Sequence, residues 1–222
     1  MAISVLLADD HRIFREGLLS LLQGVEDIQV VGEAANGREA VRLAARLRPA
    51  VVVMDISMPE LNGVEATRQI LADAPRARVL VLSMHRDPRY VAGVLEAGAK
   101  GYLLKDCAAA ELVSVIRTVA NGESYLSPQV AEVVVRGFVG RLSLETGRPP
   151  ASVLSPRERE VLQLLAEGCD TRTIADRLHI GVKTVETHRR NLMEKLGLTN
   201  LADLIRYALR EGVTSLDEWL KG

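Results

Sequence analysis

The chain of 222 residues carries 28 Lys and Arg against 29 Asp and Glu, a formal net charge of −1, with 48% hydrophobic and 26% charged residues. That ordinary globular balance excludes a uniformly basic nucleic-acid coat and a polybasic membrane binder, but it leaves room for one basic face. Two cysteines, Cys107 and Cys169, are too few for a disulfide framework, and no CxxC or Cys/His run suggests zinc.

At about 150 residues per domain, the length suggests one large or two small domains. The opening MAISVLLADDHRIF has no basic region before its apolar run, which ends at two aspartates, so a signal peptide is not expected. No apolar stretch approaches the ~20 residues of a membrane span. A soluble cytoplasmic protein with no membrane partner is expected.

The first half alternates short apolar runs with helical patterns. The runs are Ile3–Ala8, Val30–Ala34, Val51–Met54, Val79–Leu82 and Tyr102–Leu104. They are continuous rather than alternating, as strands buried on both faces should be. Between them, REGLLSLLQG and GREAVRLAARLRP repeat apolar residues at helical spacing, and Gly and Pro punctuate the joins. Five such strands with intervening helices predict a doubly wound parallel α/β sheet of flavodoxin type, spanning residues 1–125.

After Asn121-Gly122 the pattern changes. Pro128–Val139 reads as a helix, and Gly140–Val153 reads as a linker, so that 126–153 is a helix and linker. From Leu154 onward no strand signal survives, and 154–222 is expected to be a small all-α domain. Ser155-Pro156-Arg157-Glu158 is a capping box with Pro at the first helical position. That helix stops at Gly168. A short helix Thr171–Leu178, a tight connection His179–Gly181, a longer helix Val182–Leu196 and a last helix over about 201–211 follow.

Ligands of doubly wound sheets sit outside the carboxyl ends of the strands. There the sequence places Asp9 and Asp10, Asp55, Ser83 and Lys105. A lone aspartate at such a position is commonly a cap. Three carboxylates on one rim repel each other, and a hard divalent cation held by oxygen relieves that repulsion, which points to Mg2+. No His stands where it would activate a Ser or Cys for acyl transfer. A carboxylate beside a metal and a lysine suits phosphoryl transfer to Asp, with the hydroxyl donating one hydrogen bond.

LLADDHRIFREGL, VVVMDISMPELNGVEA, VLVLSMH and AGAKGYLLKD resemble the receiver domain of bacterial two-component response regulators. The resemblance implies Asp55 as phosphoacceptor, with Asp10, Asp55 and the main-chain carbonyl of Ser57 binding Mg2+ and Asp9 supporting them. It further implies that Ser83 bonds the phosphoryl group, that Lys105 pairs with it, and that Tyr102 is the aromatic switch residue. Pro59 and Gly63 shape the loop after Asp55. Hydrolysis needs a water in line with the phosphoryl group. The residues two after Asp55 and two after Ser83, Ser57 and His85, are therefore expected to tune its lifetime.

LSPREREVLQLLAEG, TIADRL, KTVETHRRNLMEKLG and LADLIRYAL resemble the LuxR-type helix-turn-helix domain of the NarL/FixJ subfamily of response regulators. The resemblance implies a scaffold helix at Thr171–Leu178 and a recognition helix at Val182–Leu196. Gly181 stands where the family often has a Ser cap, a loss of a few tenths of a kcal/mol, and Asp170-Thr171 replaces a pair that usually carries Asn.

The residues agree. Residues 154–222 hold eleven Lys and Arg against eleven Asp and Glu. Yet 177–195 holds Arg177, Lys183, Arg189, Arg190 and Lys195 against only Glu186 and Glu194. Val185, Leu192 and Leu196 share one helix face. Lys183, Glu186, Thr187 and Arg190 lie on the other, which can read a major groove. Lys183, Thr184 and Arg189 are candidates for phosphate contacts. His179 and His188 read as packing or phosphate-neighbour residues rather than metal ligands, and His188 stays with the DNA-binding set. The apolar stripe Leu201, Leu204, Ile205 and Ala208 is read as a dimer surface, with core packing as its plain alternative.

The expected function is a phosphorylation-controlled transcription regulator, not an enzyme beyond self-phosphorylation and self-dephosphorylation of Asp55. Its partners would be a sensor histidine kinase, a double-stranded operator with paired half-sites, and a second copy of itself when phosphorylated. One alternative is an aspartate-based phosphatase, which usually needs a second acid two residues after the nucleophile, where Ser57 stands. Another is a regulator that acts unphosphorylated through protein contacts.

Overall fold

A computed structural model describes residues 2–143 and 154–214. The chain divides into two compact units, Met1–Glu145 and Thr146–Gly222.

The first unit alternates β1 (Ile3–Ala8), α1 (Arg12–Gln23), β2 (Ile28–Ala34), α2 (Gly37–Leu47), β3 (Val51–Met54), α3 (Gly63–Asp73), β4 (Arg78–Ser83), α4 (Pro88–Glu96) and β5 (Gly101–Leu104). A 3₁₀ turn at Lys105–Cys107, α5 (Ala108–Ala120), β6 (Tyr125–Leu126) and α6 (Pro128–Ser143) complete it. All pairings are parallel, in the order β2-β1-β3-β4-β5-β6. The doubly wound parallel sheet is the one expected, with six strands instead of five.

The sixth strand is only Tyr125–Leu126, too short to have any readable period. Tertiary bonds create it: the Tyr125 amide donates to the Lys100 carbonyl at 3.0 Å and the Ser127 amide to the Tyr102 carbonyl at 2.9 Å. The buried Ser127 hydroxyl then donates to the Tyr102 carbonyl and accepts from the Leu104 amide, both at 3.1 Å.

Every residue of β3 and of β5 is buried, which explains their unbroken apolar runs. One core lies on the face covered by α2, α3, α4 and α6, built on Leu6, Val52, Met54, Val79 and Val81 with Ile70, Val91, Val94 and Val130. The other lies under α1 and α5, built on Val5, Leu7, Val51, Val53, Leu80 and Leu82 with Leu18, Leu22, Leu112 and Ile116. Asn36 caps α2 by accepting the Glu39 amide at 2.8 Å, Asn62 caps α3 through the Glu65 amide at 2.9 Å, and Asp87 caps α4 through the Arg89 amide at 2.9 Å. Helix α6 runs through Ser143, past Gly140 where the linker was expected to begin. The rest of the expected linker, 144–153, lies outside the described residues.

The second unit holds α7 (Pro156–Ala166), α8 (Thr171–Leu178), α9 (Val182–Leu196) and α10 (Leu201–Arg210) around a core of Val161, Leu162, Leu165, Ile174, Leu178, Val185, Leu192, Leu204 and Ala208. The capping box forms as expected. The Ser155 hydroxyl accepts the Glu158 amide at 3.3 Å and the Ser155 amide reaches the Glu158 carboxylate at 2.7 Å. That buried carboxylate also meets Lys195 Nζ at 2.8 Å, fastening the start of α7 to the end of α9. Burial would raise the Glu158 carboxyl, but Lys195 and Ser155 outweigh it and hold the group below the ordinary carboxylate range. Residues 215–222, the end of the expected domain, lie outside the described residues.

Candidate functional site

Parallel strands project their carboxyl ends to one rim, and there the expected residues converge. Asp9 leaves β1 with its amide bonded to the Ala34 carbonyl at 3.1 Å, and Asp55 leaves β3 with its amide bonded to the Ala8 carbonyl at 2.8 Å. Both side chains are buried. Lys105, just past β5, places its ammonium 2.7 Å from Asp9 Oδ2 and 2.7 Å from Asp55 Oδ2. The other oxygens accept main-chain donors: Asp9 Oδ1 the His11 amide at 2.8 Å, and Asp55 Oδ1 the Ile56 amide at 2.7 Å. The Phe14 ring lies 4.6 Å below the ammonium, and Arg15 Nη1 donates to the Asp9 carbonyl at 2.6 Å.

Burial pushes the Asp55 carboxyl up to about 6, against the pull of Lys105, and the neighbouring Asp9 adds to the rise. Burial alone would lower the Lys105 ammonium, but Asp55 and Asp9 outweigh it and hold it above a free lysine. The site is therefore two buried acids sharing one cation.

Asp10 stands beside the pair, half-buried, with its Oδ1 2.8 Å from His11 Nδ1. Donor atoms of Asp9, Asp10, His11 and Asp55 all lie within 4.8 Å of one another. This spacing and the oxygen-rich donor set fit a hard divalent cation. His11, Phe14 and Arg15 were not singled out from the sequence. The only signal for His11 was its adjacency to Asp9-Asp10.

The loop after β3 is held by close contact. A methyl group at Gly63 would come within 2.0 Å of the Asp55 carbonyl oxygen, so only glycine lets α3 start there. Glu60, in the same loop, takes a left-handed φ of 69°. Ser83 is fully buried at the end of β4, and its hydroxyl accepts the His85 amide at 3.2 Å. Tyr102 is equally buried and donates its hydroxyl to the His85 carbonyl at 2.7 Å. Burial raises the Tyr102 phenol well above its ordinary range, with Ser83 opposing the rise. Ser57 Oγ and His85 Nε2 share a hydrogen bond of 2.7 Å. The two residues marked for their place beside the water approach thus touch each other, which corrects the expectation that no His stands against a Ser: the two loops that carry them are distant in sequence and meet only at the rim.

In the second unit, α8 ends at His179 in a left-handed conformation (φ 52°), and Gly181 starts α9 without a side-chain cap. Asp170 caps α8 through the Thr173 amide at 2.7 Å. On α9, Lys183, Thr184, Glu186, Thr187 and Arg190 are exposed, while His188 and Arg189 are half-buried. The Thr187 hydroxyl donates to the Lys183 carbonyl at 2.9 Å, within its own helix. Val185 and Leu192 are buried, as their face predicts, and Leu196 is half-buried.

The expected dimer stripe needs correction. Leu204 and Ala208 are 1% and 0% exposed and belong to the core of the second unit with Tyr207. At helical spacing, residues 204, 207 and 208 form the face that α10 presses on α7, so they are not available to a partner. Leu201, 39% exposed, and the half-buried Ile205 remain on the outside.

Among the described residues no helix is long and apolar enough to cross a membrane. Residues 5–117 match the family model of the response regulator receiver domain, and residues 152–208 match that of bacterial regulatory proteins of the luxR family. The transcriptional regulatory protein MctR of Rhizobium johnstonii is 41% identical over 213 residues, 96% of this chain and 96% of its own. The oxygen regulatory protein NreC of Staphylococcus carnosus is 38% identical over 210 residues, 93% of this chain and 97% of its own. RcsB of Salmonella enterica serovar Typhimurium, solved bound to promoter rprA with the phosphomimetic BeF3, is similar at a TM-score of 0.59. It is 28% identical and covers 93% of this chain and 98% of that one.

Proposed function

Because the chain belongs to the two-component response regulators that join a receiver domain to a LuxR-type DNA-binding domain, we propose that Asp55 is the phosphoacceptor that controls its DNA binding. The observation that carries this reading is the buried Asp55 carboxylate, oriented by the Ile56 amide and paired with Lys105 at 2.7 Å. A sensor histidine kinase supplies the phosphoryl group. An Asp55 oxygen attacks the phosphorus, the donor's P–N bond breaks, and an acyl phosphate results. Lys105 then follows the charge to a phosphoryl oxygen, and the Ser83 hydroxyl donates to another. Tyr102, bonded to the His85 carbonyl, feels the movement of that loop.

Asp10, Asp55 and the Ser57 main-chain carbonyl would hold Mg2+, supported by Asp9, and the metal would neutralise the phosphoryl oxygens. Ser57 and His85 flank the approach of the hydrolytic water and set the lifetime of the acyl phosphate. The phosphatase alternative gains no support, since the residue two after Asp55 is Ser57, hydrogen-bonded to a histidine instead of supplying an acid.

On this reading the receiver spans 1–125, a helix and linker 126–153 and the DNA-binding domain 154–222, and the protein works in the cytoplasm. Glu186, Thr187 and Arg190 face base edges, while Lys183, Thr184, His188 and Arg189 lie along phosphates. Phosphorylated copies pair on two half-sites, with Leu201 and Ile205 as the exposed part of the dimer surface. RcsB bound to a promoter with a phosphomimetic supports the link between the two domains.

Selection of DNA from a random pool with and without acetyl phosphate tests the whole reading, since it yields half-site, spacing and phosphorylation dependence together. A pool enriched equally with and without the donor contradicts it. On the selected site, Arg190→Ala should cost about 1–3 kcal/mol and relax preference at one base, whereas Arg189→Ala should weaken all sequences alike and lower the salt slope by about one. Parent-like binding by both variants would remove α9 from the interface.

A further inference from the structure

We propose that Tyr90, on α4, is a positioning residue of the phosphoacceptor site. Its ring holds the His85 imidazole against Ser57 and ties that contact to the helix on which α6 packs. The inference rests on Asp55 being the phosphoacceptor.

His85 is half-buried in the connection from β4 to α4. Its main chain is fixed from the rim: the amide donates to Ser83 Oγ at 3.2 Å, and the carbonyl accepts from the Tyr102 hydroxyl at 2.7 Å. Neither main-chain bond sets the direction of the ring. The Tyr90 ring covers its face, stacked at 4.5 Å between centroids with 23° between planes. With the face covered, the ring edge points Nε2 at Ser57 Oγ, 2.7 Å away. Ser57 lies two residues after Asp55, so this edge-on bond crosses from one loop of the rim to the other.

The arrangement couples chemistry to packing. When Ser83 turns its hydroxyl to a phosphoryl oxygen, the peptide of His85 moves with it. The imidazole must then either leave Ser57 or carry Tyr90 along. Tyr90 is on α4, and its neighbours Val91 and Val94 share one apolar cluster with Val130 and Val134 of α6. A displacement of α4 is therefore delivered to α6, the last helix of the first unit. The same stack governs how open the side of Asp55 flanked by Ser57 and His85 is to water.

The test uses the full-length protein. Each variant is phosphorylated with acetyl phosphate and Mg2+, the donor is removed, and decay of the phosphoprotein is followed. His85→Ala should change the half-life severalfold, and Tyr90→Leu should change it in the same direction by a similar factor. Tyr90→Phe keeps the ring and should decay like the parent. The double variant should stay within about twofold of His85→Ala alone, because both changes remove one contact. Hydrogen exchange over 128–143 should respond to phosphorylation in the parent and in Tyr90→Phe, and much less in Tyr90→Leu. Parent-like decay of Tyr90→Leu, multiplied effects in the double variant, or an undiminished exchange response in Tyr90→Leu would each overturn the proposal. Failure of the parent itself to take up a phosphoryl group would instead overturn the assignment of Asp55, and this proposal with it.

Discussion

Asp55→Asn should take up no phosphoryl group from acetyl phosphate and Mg2+, whereas the parent should take up one that resists acid and is lost in base, as an acyl phosphate is. The substitution is nearly isosteric. Its remaining carbonyl oxygen can still accept the Ile56 amide, and Lys105 keeps its bond to Asp9 at 2.7 Å. The fold should therefore survive, and the loss should be chemical rather than structural. An amide has no anionic oxygen to attack phosphorus, and it removes one of the two carboxylates, Asp10 and Asp55, that would hold the metal. Mass spectrometry of intact protein after incubation decides the matter. Unchanged incorporation in the variant would move the phosphoacceptor elsewhere, and the DNA response to the donor should vanish along with the modification.

Lys105→Ala should separate two roles of the same ammonium. Without metal, the variant leaves Asp9 and Asp55 buried side by side, each side chain 4% exposed, with no cation between them. Removing one partner of a buried ion pair typically costs about 3–5 kcal/mol, so the metal-free variant should melt well below the parent. Millimolar Mg2+ should recover much of that loss, because a ligand that binds only the folded state stabilises it by mass action. Mg2+ affinity should be kept or increased, since a competing cation has gone. Phosphorylation should still occur, but its effect on DNA binding should be lost, because nothing replaces the ammonium that follows the phosphoryl charge. Titration of Mg2+ against thermal melting reads the first effect. A folded variant that no longer binds Mg2+ would show that Lys105 builds the metal site instead of competing with it.

The linear order of residues already contains much of this architecture. A strand buried on both faces must be apolar throughout, so Val51–Met54 and the Val5–Ala8 part of β1 announce a parallel sheet without reference to any partner. A parallel sheet puts all its strand ends on one side, so Asp9, Asp55, Ser83 and Lys105 could be placed on one rim from their positions alone. One local bond set is equally legible: the capping box of Ser155 with Glu158 acts within one turn of its own helix, whereas the Asp170 cap of α8 emerges only in the structure.

What depended on distant neighbours was not legible. The stripe Leu201, Leu204, Ile205 and Ala208 has the same helical period whether it faces a core or a second copy. Only the packing of α10 against α7 assigns Leu204 and Ala208 to the core. Two residues, Tyr125 and Leu126, form a strand because β5 offers them an edge, not because of their own pattern. Gly63 matters for the 2.0 Å that would separate a methyl group from the Asp55 carbonyl, a distance no spacing rule contains. The bond between Ser57 and His85 and the stack of His85 on Tyr90 arise where two loops and a helix meet. Local hydrogen bonding and the period of hydrophobicity are properties of neighbours along the chain, so residue order is enough for the parallel sheet, the capping box of α7 and the acidic rim. Contacts between loops depend on where the packed helices leave them, so they exist only once the chain has folded.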